Sequence, residues 1–125
     1  LFAILQDQKT FSMIPKFFEL QYAEAARDFI QKNFNRKITV QDIAEHVGIG
    51  EKTLQRVFKR QYQKGIQEYQ VEVRMEKAKE HLESGRKTIK QVAYLIGYKR
   101  QSSFSKRFQR VFGKCPMEYM QGGGS

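Results

Sequence analysis

Lys52, Gln55, Arg56 and Lys59 fall at helical spacing on one side of a segment whose other side is Leu54, Val57, Phe58 and Tyr62. Ammonium, amide and guanidinium groups on the outer face of an apolar-backed helix suit contact with a polyanion, because they offer donors and positive charge that need no burial. Other chemistry is poorly supplied. The single cysteine, Cys115, has no partner for an intramolecular disulfide, and His46 and His81 lie 35 positions apart with no other soft ligand nearby, so no metal site is expected. There is no plausible constellation of His, Cys and carboxylate and no phosphate-cradling glycine loop, so neither an enzyme nor a bound cofactor is expected.

The chain has 125 residues, enough for one ordinary domain or two very small ones, and Lys plus Arg outnumber Asp plus Glu by 23 to 13, a net charge of +10. With 40% hydrophobic residues it can bury a core, which excludes a disordered polycation. No apolar run approaches the ~20 residues of a membrane span, and the opening Leu1 to Leu5 stretch is too short, and lacks the basic flank, for a signal peptide. The expectation is a soluble protein, and a chain that starts at Leu reads as a fragment of something longer. Charge is unevenly placed: basic and acidic residues number four and four over residues 1–35, seven and three over 36–66, three and five over 67–84, and nine and one over 85–125. Two basic blocks around a slightly acidic one suit two separated contacts with DNA, RNA or a membrane surface.

These faces need elements to position them. Phe18, Tyr22, Ala25 and Phe29 recur at helical spacing, so residues 16–34 read as an amphipathic helix closed by Asn33 to Lys37. Thr39, placed as an N-cap, precedes a stripe of Val40, Ile43, Ala44 and Val47 that Gly48 ends. Gly50 is a weak N-cap for the segment carrying Arg56. From Gln67 to Ser84 no Gly or Pro interrupts, and Tyr69, Val73, Ala78 and Leu82 mark the apolar side of a helix about 27 Å long, stopped at Ser84-Gly85. In a helix after Gly97, Phe104, Phe108, Val111 and Phe112 share a face, and Gly122 to Ser125 read as a flexible tail.

The pattern occurs twice. Thr39, Val40, Ile43, Ala44, Val47 and Gly48 return 49 positions later as Thr88, Ile89, Val92, Ala93, Ile96 and Gly97. After one inserted residue, Leu54, Phe58, Tyr62, Lys64 and Tyr69 return at an offset of 50 as Phe104, Phe108, Phe112, Lys114 and Tyr119. The repeated unit is a short helix, a glycine-bearing turn and a second helix with a basic outer face, and the long middle helix joins the copies. A helix fits the major groove of B-DNA, and a second unit about 34 Å along the duplex meets the next groove on the same side. The copies differ in their outer-face residues, which predicts an asymmetric, non-palindromic site.

The strings ITVQDIAEHVGIGEKTLQRVFKR at residues 38–60, VRMEKAKEHL at 73–82 and IKQVAYLIGYKRQSSFSKRFQRVFGKCPMEY at 89–119 resemble the DNA-binding domain of the AraC/XylS family of bacterial transcription regulators, over roughly residues 36–120. The second half carries the more specific signature, with Ile89, Ala93, Gly97-Tyr98, Phe104, Phe108, Phe112-Gly113, Pro116 and Tyr119 at the family's positions. The resemblance implies base reading by Lys52, Gln55 and Arg56 on the first recognition helix and by Gln101, Ser102, Ser105 and Lys106 on the second. Gln suits adenine, Arg suits guanine O6 and N7, and Ser permits close approach. Lys59, Arg60, Lys64, Arg86, Lys87, Lys90, Lys99, Arg100, Arg107 and Arg110 then become candidates for phosphate. Family members often have Ser where Gly50 stands, an acid where Arg100 stands, Arg where Lys106 stands and Ser where Cys115 stands. Lys106 lacks the planar fork of Arg, so the second helix is expected to add affinity more than specificity.

The expected fold is all-α, about seven helices. Residues 1–15 connect to a missing N-terminal regulatory domain, 16–66 and 85–121 are homeodomain-like helix-turn-helix subdomains, 67–84 is the linker helix and 122–125 the tail. Phe2, Ile4, Leu5, Phe11, Met13 and Ile14 make the connector too apolar for a free tail. The resemblance further implies promoter DNA and RNA polymerase as partners, activation as the commoner outcome, a bacterial cytoplasmic, nucleoid-associated location, and a homodimer formed through the missing domain. The competing reading is a basic helical adaptor that binds nucleic acid without sequence preference, or binds a protein.

Overall fold

The computed structural model describes residues 16–124. Among them it holds seven helices and no strand: α1 (Lys16–Lys32), α2 (Val40–Val47), α3 (Glu51–Tyr62), α4 (Ile66–Ser84), α5 (Ile89–Leu95), α6 (Gln101–Phe112) and α7 (Pro116–Gly124). The expectations for residues 1–15 and for Ser125 lie outside the described residues. Gly122 to Gly124, expected in the tail, fall within the extent of α7.

Contacts divide the chain into two units, one of residues 16–32 and 38–69, the other of residues 33–37 and 70–124. In the first, α2 begins where the chain can satisfy its own orphan amides. Thr39 Oγ1 accepts from the Asp42 amide at 3.1 Å and Asp42 Oδ2 accepts from the Thr39 amide at 2.8 Å, a reciprocal capping box. Gly48, at φ +94°, ends α2 in the left-handed region that a Cβ disfavours. Gly50 caps α3 with no side-chain bond. Ile43, Ala44, Leu54, Val57 and Phe58 are then buried together with Ile38 and Ile66.

The contribution of α1 differs from the pattern read in the sequence. Its buried residues are Glu19, Ala23, Ala26 and Ile30, one position on from Phe18, Tyr22, Ala25 and Phe29; Phe18 is exposed and the other three are half-buried. The two stripes adjoin on a helix surface, and the one with two alanines allows the closer approach, leaving the rings at the margin. There Phe29 stacks on His46, with centroids 4.3 Å apart.

The second unit repeats the device. Gln91 donates its amide to Thr88 Oγ1 at 3.1 Å and accepts the Thr88 amide at 2.9 Å, so the same box forms around an amide side chain. Its core is Met75, Ala78, Leu82, Val92, Ala93, Ile96, Phe104 and Phe108, with Phe112 and Tyr119 packed against it. Burial of each phenylalanine contributes about 1.5–3 kcal/mol. Met75 is fully buried where the sequence pattern pointed to Tyr69, which is half-buried in the first unit. The first turn of α4 serves one core through Ile66 and the rest serves the other, so no single stripe runs its length. Val111 is exposed, because beyond Phe108 the cover comes from α7, where Tyr119 meets Phe112 at 5.7 Å.

Residues 33–37, between α1 and α2 in the chain, pack within the second unit. Arg74 Nε donates to the Phe34 carbonyl at 2.9 Å and Nη2 to the Arg36 carbonyl at 3.2 Å. The Lys77 ammonium lies 5.9 Å from the Phe34 ring. Gly97, at φ +96°, lies so close to this strap that a Cβ would come within 3.1 Å of the Asn35 carbonyl oxygen.

Candidate nucleic-acid interface

Each unit uses one side of its second short helix for the core and leaves the other in solvent. On α3, Leu54, Val57 and Phe58 are buried while Lys52, Gln55, Arg56 and Lys59 are exposed. On α6, Phe104 and Phe108 are buried while Gln101, Ser102, Lys106, Arg107 and Arg110 are exposed, and Ser105 is half-buried at the edge of the face. Six of the seven side chains expected to read bases are thus exposed, and all seven lie on the two helices assigned to them.

The flanking cations are distributed differently in the two units. In the second, Arg86 and Lys90 are exposed and Lys87 is half-buried around the start of α5, and Lys99 and Arg100 are exposed where the chain enters α6. The amide end of α6 and these charges together suit an anion. In the first unit Lys59 is exposed and Lys64 half-buried. Arg60 is engaged: its Nη1 lies 2.9 Å from Oε2 of Glu19, whose side chain is only 4% exposed.

Glu19 and Arg74 are the polar residues that the sequence pattern did not single out. The signal for Glu19 was an acid among Phe17, Phe18 and Leu20, but its partner stands 41 positions away. Arg74 binds backbone carbonyls 38 and 40 positions away, which no side-chain pattern marks. At the end of α3, burial pushes the Tyr62 hydroxyl above its ordinary value of 10.0, with the Arg27 guanidinium acting in the opposite sense. The Tyr62 hydroxyl is buried and makes no hydrogen bond among the described residues.

Among the described residues no group of three or more His, Cys, Asp and Glu side chains converges as a metal site. Cys115 is a half-buried free thiol. No helix among them is long and apolar enough to cross a membrane.

A family model described as a helix-turn-helix domain matches residues 43–122. The chain is 32% identical over 111 residues to the lactose operon transcription activator of Staphylococcus xylosus, covering 84% of this chain and 40% of that protein. Among solved structures it is similar to the C-terminal domain of AraT, a response regulator from Geobacillus stearothermophilus, with a TM-score of 0.76, 30% identity and coverage of 81% of this chain and 84% of that one. It also shares the fold of the DNA-binding domain of AdpA, a global transcriptional factor solved in complex with a target DNA, with a TM-score of 0.74, 17% identity and coverage of 80% and 90%. The chain spans 34 to 40% of the length of the first four curated relatives it matches.

Proposed function

This chain belongs to the AraC-type helix-turn-helix family of DNA-binding transcription regulators, and we propose that it sets α3 and α6 into adjacent major grooves of promoter DNA, reading an asymmetric site as a single chain. The observation that carries this reading is the division of labour on the two helices. Their apolar sides fill two separate cores while Lys52, Gln55 and Arg56 on one, and Gln101, Ser102 and Lys106 on the other, are left exposed. A helix held from behind with unburied donors in front is what base reading in the major groove requires. That the AdpA domain shares the fold and was solved on its target DNA supports the docking mode.

Lys59, Arg86, Lys87, Lys90, Lys99, Arg100, Arg107 and Arg110 then position the protein on phosphate. The whole protein acts as an activator in a bacterial cytoplasm, contacting RNA polymerase and dimerising through a domain outside this chain. The name of the lactose operon transcription activator supports activation, and that of the raffinose operon transcriptional regulatory protein supports transcription regulation, while a regulator that works by binding needs no catalytic site.

Selection of bound sequences from a random duplex pool at about 150 mM salt, where counterion-driven binding is weakened, tests the reading. The expected result is a bipartite, non-palindromic motif with halves about 10 base pairs apart. Binding at low salt with no motif would replace it by the basic-adaptor reading.

A further inference from the structure

We propose that Glu19 is a specificity-determining residue: it holds Arg60 away from the DNA backbone, so that the first recognition helix binds with one phosphate contact fewer than its basic residues suggest. This rests on the DNA-binding reading and assigns to α1 a part in recognition.

Glu19 stands in the buried stripe of α1 with Ala23, Ala26 and Ile30. A carboxylate there needs a partner, because an ionised group taken from water without one is strongly disfavoured. The partner is Arg60, whose Nη1 lies 2.9 Å from Oε2, and Oε1 is buried with no hydrogen bond among the described residues. Among the described residues the guanidinium is therefore the carboxylate's one compensation, and drawing it toward a phosphate would strand the charge. Arg60 is itself half in solvent, with its side chain 49% exposed, so it lies close enough to the surface to be a phosphate ligand if released.

The repeat supplies an internal control. At the offset of 50 that relates Leu54 to Phe104 and Phe58 to Phe108, Arg60 corresponds to Arg110. Arg110 is exposed on α6. Two arginines at the same place on two recognition helices thus differ: a buried acid holds Arg60, and among the described residues none pairs with Arg110. A paired guanidinium carries little net charge to displace counterions, whereas a free one on a phosphate adds about 0.9 to the slope of log affinity against log salt. Withholding that increment leaves α3 more dependent on base contacts, since the phosphate term is the same on every sequence.

The test is the salt dependence of binding to the selected duplex and to an unrelated duplex, for the full chain and for Arg60→Gln, Arg110→Gln, Glu19→Leu and the double variant Glu19→Leu/Arg60→Gln, each checked for helicity and thermal melting. Arg110→Gln should lower the slope by about 0.9, a change of about 3.5-fold in affinity between 50 and 200 mM salt. Arg60→Gln should leave it unchanged in the natural background. Glu19→Leu should raise it by about 0.9 and narrow the preference for the selected duplex, and adding Arg60→Gln should remove the gain. Equal losses of slope for Arg60→Gln and Arg110→Gln would overturn the inference, and so would an unchanged slope in a folded Glu19→Leu. If Glu19→Leu fails to fold, the comparison of Arg60→Gln with Arg110→Gln decides alone. Failure of the natural chain to prefer any duplex would overturn the DNA-binding reading itself, a separate result from either of these.

Discussion

Gly48, the C-cap of α2, and Gly97, one residue past the C-cap of α5, have nearly the same φ, +94° and +96°, yet replacing them by alanine should have unequal costs. At Gly48 nothing among the described residues lies within 4 Å of the position a Cβ would take, so Gly48→Ala meets only the conformational penalty of the left-handed region, about 1–2 kcal/mol. At Gly97 the same penalty applies and the new methyl comes within 3.1 Å of the Asn35 carbonyl oxygen and 3.3 Å of its carbon. Relief would require the strap to withdraw, but Arg74 binds the carbonyls on either side of Asn35. Overpacking against a fixed group adds about 1–3 kcal/mol, so Gly97→Ala should lose about 2–5 kcal/mol in all. Urea unfolding followed by circular dichroism, with amide hydrogen exchange to resolve the two units, measures both variants. In an Arg74→Ala background the excess at Gly97 should shrink, a coupling of about 0.5–3 kcal/mol. Equal losses at the two glycines, or no coupling to Arg74, would refute the close approach as its cause.

Gln63 ends α3 at φ +59°, where the second unit has Gly113 at +76°; Gln63→Gly should stabilise the chain by about 0.5–1 kcal/mol. A lower melting temperature would mean that the 2.8 Å bond from Gln63 Nε2 to the Arg60 carbonyl outweighs the backbone gain. Tyr62 has a raised pKa in the folded state, so its contribution is fully present below the unfolded value of 10.0 and is lost as pH rises through the folded one. Tyr62→Phe should therefore lose less stability above pH 10 than the natural chain, and at neutral pH it should be neutral or stabilising, because the hydroxyl it removes is buried without a partner. Denaturation midpoints at pH 8 and above pH 10 check both points, and parallel losses in the two proteins would count against them. Arg56→Ala should weaken binding to the selected duplex by about 1–3 kcal/mol and relax preference in one half-site. Competition with unrelated DNA reads this, and a uniform loss on all sequences would make Arg56 a phosphate contact.

What could be read from the sequence was set locally. The Thr39 and Thr88 caps, the Gly48 turn and the stripe pairs Leu54 with Phe58 and Phe104 with Phe108 depend on residues within a turn or two of one another, and all form as expected. The misplaced stripe of α1 shows the limit. Periodicity finds an apolar side but not which of two adjoining rows faces the neighbour, and the choice fell on the row with alanines and a buried acid. Glu19 with Arg60, and Arg74 with the strap, were not legible because their partners are far along the chain and, for Arg74, belong to the backbone.

The two copies are alike where burial constrains them and unlike where it does not. Ile43 and Val92, Ala44 and Ala93, Leu54 and Phe104, and Phe58 and Phe108 are all buried, and any polar substitution there would leave a group without water or partner. The outward positions face no such constraint, and there the copies diverge: Gln55 corresponds to Ser105 and Arg56 to Lys106. At these two positions the first helix thus has side chains with bidentate hydrogen-bonding geometry, while the second has the shorter Ser105 and the less directional Lys106, beside Gln101 and among Lys99, Arg100, Arg107 and Arg110. If the copies had remained identical outside as well as inside, the chain would read a repeated half-site. On the proposed docking, a reading face on α3, where Glu19 holds one of the arginines, and a face on α6 flanked by Lys99 and Arg100 would assign sequence discrimination and salt-sensitive affinity to different halves of the chain.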